Sequence, residues 1–272
     1  MSPLWRDEVA IYVAPRKIAL ARRSRGVKPH IAHATEIAVA GHFGDVAPTL
    51  ARLSDVLSEP TWQDAVARIV VADPWARYGI VPWPDLRLDN DARVSHARYV
   101  LADSYGDVVS DWSVSLADTP PGRAYVACAM PQPLKSGLEE ILAGARLKLT
   151  SLQPQLIVAF NAWRQQIPAD DAWFVSLDDG SLAGVHLSQG AWDRVHMARL
   201  SQDWEIELER LRTFSRLSRT GSAASRILVD APTWMRCTRT AQAASEDFQW
   251  LEPHEGSVSA SHELALLQRV YA

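Results

Sequence analysis

The chain has 272 residues, of which 47% are hydrophobic, enough to fill a sizeable core without disulfides or metal. Its formal net charge of −4 argues against the strongly basic surface that nucleic-acid binding usually needs. The two cysteines, Cys128 and Cys237, have no CxxC spacing, so neither a disulfide framework nor a zinc site is expected. Charges near the N-terminus and the lack of any apolar run approaching ~18 residues predict neither a signal peptide nor a transmembrane helix.

Residues 8–40 alternate in a way that predicts three strands, EVAIYVA, KIALARR and HIAHATEIAV, with turns at Pro15 and near Gly26. A helix comes next, with Asp45 as its expected N-cap, and it ends before Pro60. The apolar run ARIVVAD then predicts a buried strand. The first part of the chain therefore has the order βββαβ.

The middle of the chain predicts a strand at 75–82, a helix from about Asp89 to Tyr105, and a hairpin of strands 111–118 and 123–130. A helix from about Gln132 to Arg146 shows the clearest apolar stripe in the chain. The strand KLTSLQ and an apolar helix at 154–167 thus close the first half of the chain.

The second half opens as the first did, with the strands AWFVSL, SLAGVHLS and WDRVHMARL. A helix at 202–217 and the strand RILVDAP come next, so the order βββαβ occurs twice. Beyond Thr233 the pattern is less regular, and only residues 261–270 predict a helix. The sequence thus predicts an α/β protein with an internal duplication.

Two βββαβ units in one chain resemble the actin-like fold of actin, Hsp70 and the sugar kinases. The resemblance implies that the first hairpin turn of each half binds phosphate through backbone N–H groups, an Asp and a Gly. The first turn, Val13–Lys17, has neither residue, and its Pro15 lacks an N–H. The second turn has both residue types, although a two-residue hairpin favours Asp-Gly for its backbone twist alone. Any retained nucleotide or phosphate site would use Asp178, Asp179, Gly180 and Ser181.

The middle region is similar to the inserted subdomain of the PilM-like proteins of type IV pilus assembly and of the related GspL cytoplasmic regions. That family has a strand ending in small residues, followed by a helix and a strand of the form xxxEExxxAxxxAGLxxxxxxP. The corresponding sequence here is AYVACAMPQPLKSGLEEILAGARLKLTSLQPQLIVAF. The resemblance implies a two-lobed actin-like (ASKHA) fold. Its expected parts are a first lobe of 1–86 with 150–167, an inserted subdomain of 87–149, and a reduced second lobe of 168–272.

The same resemblance implies a cytoplasmic scaffold at the inner face of the bacterial inner membrane, in a type IV pilus or type II secretion assembly. The implied partners are the cytoplasmic N-terminal peptide of a membrane-anchored protein and a secretion ATPase, with no nucleic acid. A groove in the 75–118 region would take the peptide. We expect no catalytic residues, metal or cofactor, so the protein would not be an enzyme. The expected contact residues are Arg77, Tyr78, Trp83, Arg98 and Tyr99.

Three alternatives stay open at the level of the sequence. The chain could be an active actin-like ATPase or small-molecule kinase that binds ATP with Asp178 and Asp179, or an unrelated α/β domain with an accidental repeat. The basic cluster on the first hairpin could be a solvated strand face or a contact for anionic lipid or an acidic partner. His186 and His196, on neighbouring strands, favour packing over metal ligation. The basic cluster consists of Arg16, Lys17, Arg22, Arg23, Arg25 and Lys28.

Overall fold

The computed structural model describes residues 6–25, 29–42, 44–84, 86, 88–168, 171–178, 180–200, 204–217, 226–232, 235, 248–252 and 261–269. The chain divides into two compact units, residues 1–155 with 266–272 and residues 156–265. Each unit contains one five-stranded sheet. The finer division into a first lobe, an insert and a second lobe stays a prediction.

The first unit begins with the elements of its large sheet and then adds a smaller sheet. In chain order it contains β1 (Glu8–Val13), β2 (Lys17–Ser24), β3 (His30–Ala38), α1 (Ala47–Leu57), β4 (Val66–Val71), β5 (Arg77–Val81), α2 (Asn90–Tyr105), β6 (Trp112–Leu116), β7 (Tyr125–Pro131), α3 (Gln132–Gly144) and β8 (Lys148–Pro154). Short 3₁₀ turns occupy Pro60–Trp62, Asp73–Trp75 and Asp107–Asp111.

The second unit repeats the order βββαβ that opens the first and adds one more strand. It contains β9 (Ala172–Leu177), β10 (Ser181–Ser188), β11 (Ala191–Arg199), α5 (Trp204–Leu217), β12 (Arg226–Asp230) and β13 (Phe248–Trp250). Two further helices, α4 (Gln155–Trp163) and α6 (His262–Arg269), each cross a boundary between the units.

The two large sheets have the same topology. The strand orders are β3-β2-β1-β4-β8 and β11-β10-β9-β12-β13. In each sheet the first three strands are antiparallel, and the fourth and fifth run parallel to the first. The predicted duplication of βββαβ units is therefore confirmed at the level of strand order, which the sequence pattern alone does not specify.

The core of the first unit lies between its large sheet and the helices α1 and α3. Leu53 of α1 and Leu134 and Leu138 of α3 are fully buried against β1 and β4. The stripe of α3 recurs every four residues, as an amphipathic helix requires. A Cβ on Gly137 would lie 2.6 Å from Leu50 Cδ1, so the glycine allows α1 and α3 to approach closely.

The small sheet of the first unit has the order β5-β7-β6, with both pairs antiparallel. Helix α2 covers one face, where Ala97 and Leu101 are buried against Tyr125 and Ala127 of β7. Gly79 of β5 makes this packing possible, because a Cβ there would lie 2.9 Å from Leu101 Cδ2. Asp89 caps the helix by accepting the Ala92 N–H at 2.8 Å.

The core of the second unit lies between its sheet and α5. Trp204, Leu208 and Leu211 form the buried stripe of α5, and they pack against Trp173 of β9 and Val229 of β12. Their spacing of three and four residues matches one face of a helix. The same stripe is readable in the sequence.

Most predicted elements are present, with shifted ends. The strand predicted at 75–82 starts only at Arg77, because Asp73–Trp75 form a 3₁₀ turn around Pro74. The predicted cap of α1 is displaced: Asp45 accepts the Ala47 N–H at 2.9 Å, whereas the N-cap residue is Val46. Strand β13 was not predicted from the tail. Within the described part of the chain, no helix is long and apolar enough to cross a bilayer.

Candidate functional site

The turn between β1 and β2 is closed by its own backbone. The Ala14 N–H donates to Lys17 O at 2.9 Å, which leaves Pro15 and Arg16 as the two turn residues. Ala14 O accepts the Thr49 hydroxyl at 3.2 Å, and Arg16 O accepts the Val39 N–H at 2.8 Å. Carbonyl groups, rather than N–H groups, dominate these contacts, and carbonyl oxygens repel a phosphate.

A neighbouring loop also covers this first turn. A Cβ on Gly41 would lie only 2.1 Å from Pro15 O, so the backbone at residue 41 lies directly against the turn. Only glycine fits such an approach without displacing backbone. The backbone of residue 41 therefore covers the carbonyl of Pro15.

The turn between β9 and β10 has different chemistry. Asp178 is buried, and its Oδ1 accepts both the N–H and the hydroxyl of Ser181, each at 2.9 Å. The Asp178 N–H donates to Ser181 O at 3.0 Å, and Gly180 has a φ of 125°. Asp179 lies outside the described residues. One carboxylate oxygen of Asp178 thus closes the hairpin, as Asp does in an Asx turn.

The five expected contact residues of the peptide groove occupy very different environments. Tyr78 is 3% exposed, and its hydroxyl donates to Asp73 Oδ1 at 2.5 Å. Arg77 Nη1 donates to the carbonyls of Pro74 and Ala76. Both side chains, which belong to β5 of the small sheet, are therefore engaged in hydrogen bonds within the protein.

The other three expected residues lie on or beside α2. Arg98 Nη1 donates to Val109 O at 2.6 Å and to Ser110 O at 3.3 Å, so it joins α2 to the 3₁₀ turn before β6. Trp83 is half-buried against the core of the small sheet. Tyr99 is 77% exposed, although it is a large aromatic residue. The five residues therefore do not form one exposed patch, and Tyr99 is the one with most of its surface available.

A second group of side chains, which the sequence did not single out, surrounds Trp83. The Arg93 guanidinium carbon lies 4.9 Å from the centre of the Tyr125 ring and 5.6 Å from that of Trp83. The two rings are nearly perpendicular, at 88°. His96 Nδ1 lies 3.3 Å from the Tyr125 hydroxyl. We call Trp83, Arg93, His96 and Tyr125 the arginine cluster.

Long-range contacts explain why the sequence did not reveal this cluster. Arg93 and His96 lie three residues apart on α2, which is a readable signal for one helix face. Trp83 precedes the helix, and Tyr125 belongs to β7, so only the fold brings them together. The composition of the insert gave no local motif that joins them.

Burial shifts the pKa values of two further side chains, Cys128 of β7 and Tyr105 at the end of α2. Burial raises the pKa of the Cys128 thiol, and the Asp73 carboxylate raises it further. Burial also raises the pKa of Tyr105, whose hydroxyl donates to Tyr78 O at 3.1 Å. A thiol held in its protonated form is a poor nucleophile. The Tyr105 hydroxyl joins the end of α2 to β5 through its bond to Tyr78 O.

The two histidines on neighbouring strands do not share a site. His186 of β10 lies between two carboxylates, with Nε2 2.9 Å from Asp171 Oδ1 and Nδ1 3.2 Å from Asp193 Oδ2. His196 of β11 stacks on Phe214, and burial lowers its pKa. In the described ranges, no group of three or more His, Cys, Asp or Glu side chains is arranged to hold a metal ion.

Some side chains of the basic cluster on the first hairpin form ion pairs or donate hydrogen bonds to backbone carbonyls. Arg22 pairs with Asp7 at 2.9 Å and also donates to the carbonyl of Thr61. Arg25 pairs with the buried Glu8 at 2.8 Å. Lys28 lies outside the described residues. These ion pairs join the two strands of the hairpin and neutralise part of its charge, and the bond from Arg22 to Thr61 connects the hairpin to the rest of the unit.

The comparisons with solved structures agree with this architecture. The PilM–PilN type IV pilus biogenesis complex matches with a TM-score of 0.64 and 15% identity, over 91% of this chain and 89% of the other. The cytoplasmic domain of EpsL, an inner-membrane component of the type II secretion system of Vibrio cholerae, matches with a TM-score of 0.58 and 11% identity, over 97% and 94%. The chain has the actin-like fold of PilM and EpsL.

A third solved structure supports the same fold. A Bacteroides thetaiotaomicron protein with an actin-like ATPase fold and unknown function matches with a TM-score of 0.61 and 9% identity, over 97% of this chain and 96% of the other. No family model matches the chain, and no curated protein matches it in sequence. The resemblance to PilM-like and GspL-like proteins, inferred from the sequence of the insert, is confirmed for the fold.

Proposed function

We propose that this actin-like chain is a scaffold of a type IV pilus or type II secretion assembly platform. It binds the cytoplasmic N-terminal peptide of a membrane-anchored partner and does not hydrolyse ATP. The observation that carries this proposal is the similarity to PilM, solved in a complex with PilN, over 91% of the chain. In this role the chain lies at the inner face of the inner membrane, held there by its partner, and a secretion ATPase is a further candidate partner.

The exposed face of α2 supports a binding role for the insert. Tyr99 is 77% exposed and Leu86, just before the helix, is 76% exposed. Exposed aromatic residues are frequent anchors of protein interfaces. Arg77 and Arg98 hold the surrounding backbone by hydrogen bonds, and Tyr78 lies in the core beneath. We therefore place the direct contacts of the peptide at Trp83 and Tyr99, with the other three residues shaping the groove.

The geometry of the two hairpin turns supports the lack of ATP hydrolysis. The first turn directs carbonyl oxygens at its neighbours and is covered by Gly41. In the second turn, Asp178 uses one oxygen to bind Ser181. Among the described residues of the two turns, neither arrangement resembles a cradle of N–H groups around an anion.

A pull-down with the cytoplasmic tail of the membrane protein encoded beside this chain tests the proposal. The native chain should retain the tail, and Tyr99→Ala should weaken binding by about tenfold or more, as expected for an aromatic anchor. Ser104→Ala, an exposed position on the same helix, is the matched control. Equal retention by the two variants would reject Tyr99 as a contact, and no retention by the native chain would reject the partner.

The rival function, an ATPase or kinase with Asp178 at the phosphate, has a separate test. A ligand at 100 times its dissociation constant stabilises a protein by about 2.7 kcal/mol, which a thermal-shift measurement detects. We expect no shift with Mg-ATP. A shift that is absent in Asp178→Asn would support the enzyme instead.

A further inference from the structure

Arg93 is an arginine whose guanidinium group is held in place by aromatic rings. The group lies in the corner between the perpendicular rings of Trp83 and Tyr125, at 5.6 Å and 4.9 Å. Its Nε is buried and donates to no group in the described part of the chain. Buried donors are normally paired, so an unpaired one calls for an explanation.

Other arginines of the first unit show how unusual this arrangement is. Arg22 and Arg25 pair with carboxylates, and Arg77 and Arg98 donate to backbone carbonyls. Among the described residues, no carboxylate forms an ion pair with Arg93, and Asp89 instead accepts the Ala92 N–H as the helix cap. Within this part of the chain, the guanidinium group of Arg93 therefore contacts two aromatic rings and no carboxylate.

The aromatic rings fix the position of the guanidinium group. Tyr125 is fully buried, its hydroxyl lies 3.3 Å from His96 Nδ1, and Trp83 packs against the core of the small sheet. Because Nε is buried, the two Nη groups at the end of the guanidinium plane are the donors that remain for a planar anion. Such pre-organisation reduces the entropy lost when a ligand is bound.

We propose that Arg93 binds a carboxylate, and specifically the acidic side chain of a peptide docked on α2. The fork of a guanidinium group matches a carboxylate by two parallel hydrogen bonds. A single positive charge suits a carboxylate better than a phosphate dianion, because Arg77 and Arg98 are already bonded to carbonyls. This inference rests on the proposed peptide-binding role of the insert and adds a specificity to it: an Asp or Glu next to apolar anchors.

An array of nonapeptides tests the inference without knowledge of the partner. The peptides carry leucine and tryptophan at varied positions and one variable residue, which is Glu, Asp, Gln or Asn. The purified full chain should bind the acidic peptides roughly tenfold better than the matching amides, as expected for a charge-assisted hydrogen bond. Because only the peptide changes, this comparison does not depend on the folding of any variant. Equal binding of acidic and amide peptides would overturn the inference and leave peptide binding intact.

Variants of the chain then test whether Arg93 causes the preference for acidic peptides. Arg93→Met should abolish the preference for acidic peptides, and Arg93→Lys should retain only part of it. Arg123→Met removes the same charge from an exposed position of the insert and should keep the full preference. A preference that survives in Arg93→Met, or that disappears in Arg123→Met, would contradict the assignment to Arg93. Failure of the native chain to bind any peptide would contradict both this inference and the proposed function.

Discussion

The two five-stranded sheets share one strand order but close their first hairpins in opposite ways. In the first sheet, at the turn of Pro15 and Arg16, Ala14 O accepts the Thr49 hydroxyl and Arg16 O accepts the Val39 N–H. In the second sheet, the carboxylate of Asp178 accepts two hydrogen bonds from Ser181. The comparison shows that the hydrophobic pattern preserves the topology, whereas the chemistry of the turns is free to change.

A second difference lies in the segment after the fourth strand of each sheet. In the first unit, β4 leads into a small sheet with its own helix, α2, and its own core. The arginine cluster and the exposed Tyr99 belong to this small sheet, its helix α2 and the segment that joins them. The binding chemistry proposed for this chain is therefore found in the part of the first unit that has no counterpart among the described residues of the second.

The largest effect is expected from a substitution at the covered turn of the first sheet. Gly41→Ala places a Cβ 2.1 Å from Pro15 O, a contact with backbone that cannot be relieved by a rotamer change. We expect a loss of about 3 kcal/mol in the free energy of unfolding, measured by urea denaturation. Gly44→Ala is the control, since a Cβ there meets nothing within 4 Å. Equal stability of the two variants would show that the loop does not press on the turn.

The next largest effect is expected at the turn of the second sheet. Asp178→Ala removes the acceptor of two hydrogen bonds from Ser181, which should cost about 2 kcal/mol of unfolding free energy. Asp178→Asn keeps an acceptor oxygen and should cost less. If Asp178 instead were a ligand-binding residue that destabilises the fold, both variants would be at least as stable as the native chain.

A smaller effect is expected for the side chain that supports the first turn. Thr49→Val removes the hydroxyl that donates to Ala14 O but keeps the branched shape of the residue. The loss should be about 1 kcal/mol, because this bond joins two neutral groups. Urea denaturation beside Asp178→Ala gives the comparison directly. A cost for Thr49→Val larger than that of Asp178→Ala would reverse our ranking of the two turns.

The smallest effect is expected in the pH dependence of stability, through His196 of the second sheet. Burial lowers the pKa of His196 from its ordinary 6.5, although Glu207 opposes the shift. The unfolded chain therefore takes up a proton before the folded chain does, and stability falls as the pH drops from about 6.5 to the lowered pKa. His196→Phe should remove this part of the pH dependence, as measured by unfolding at a series of pH values. A native chain and variant with parallel pH profiles would contradict the assignment.

Patterns local to one element were readable from the sequence. The four-residue stripe of α3 and the alternation of the first three strands depend on neighbours a few positions away, so they predict elements well. The three-residue β13 is too short to show any period, and the turn around Pro74 shortened β5. The strand order came from the resemblance, because periodicity does not specify which strands pair.

The candidate site was less readable for a physical reason. Tyr78 is adjacent to Arg77 in sequence, but the pleat of β5 and the acceptor Asp73 place it in the core. Arg93 looks like an ordinary polar residue of an exposed helix until Trp83 and Tyr125 are brought to it by the fold. Contacts between distant segments decide which side chains are available, and no spacing rule reports them.

The central claim is that this actin-like chain binds a peptide through its insert rather than ATP. Calorimetric titration tests this claim most directly. One preparation of the protein is titrated with the cytoplasmic N-terminal peptide of the neighbouring membrane protein and then with Mg-ATP. We predict heat of binding with the peptide, weakened at least about tenfold by Tyr99→Ala, and no heat with Mg-ATP. Binding of Mg-ATP together with no peptide binding at high micromolar concentration would contradict the account.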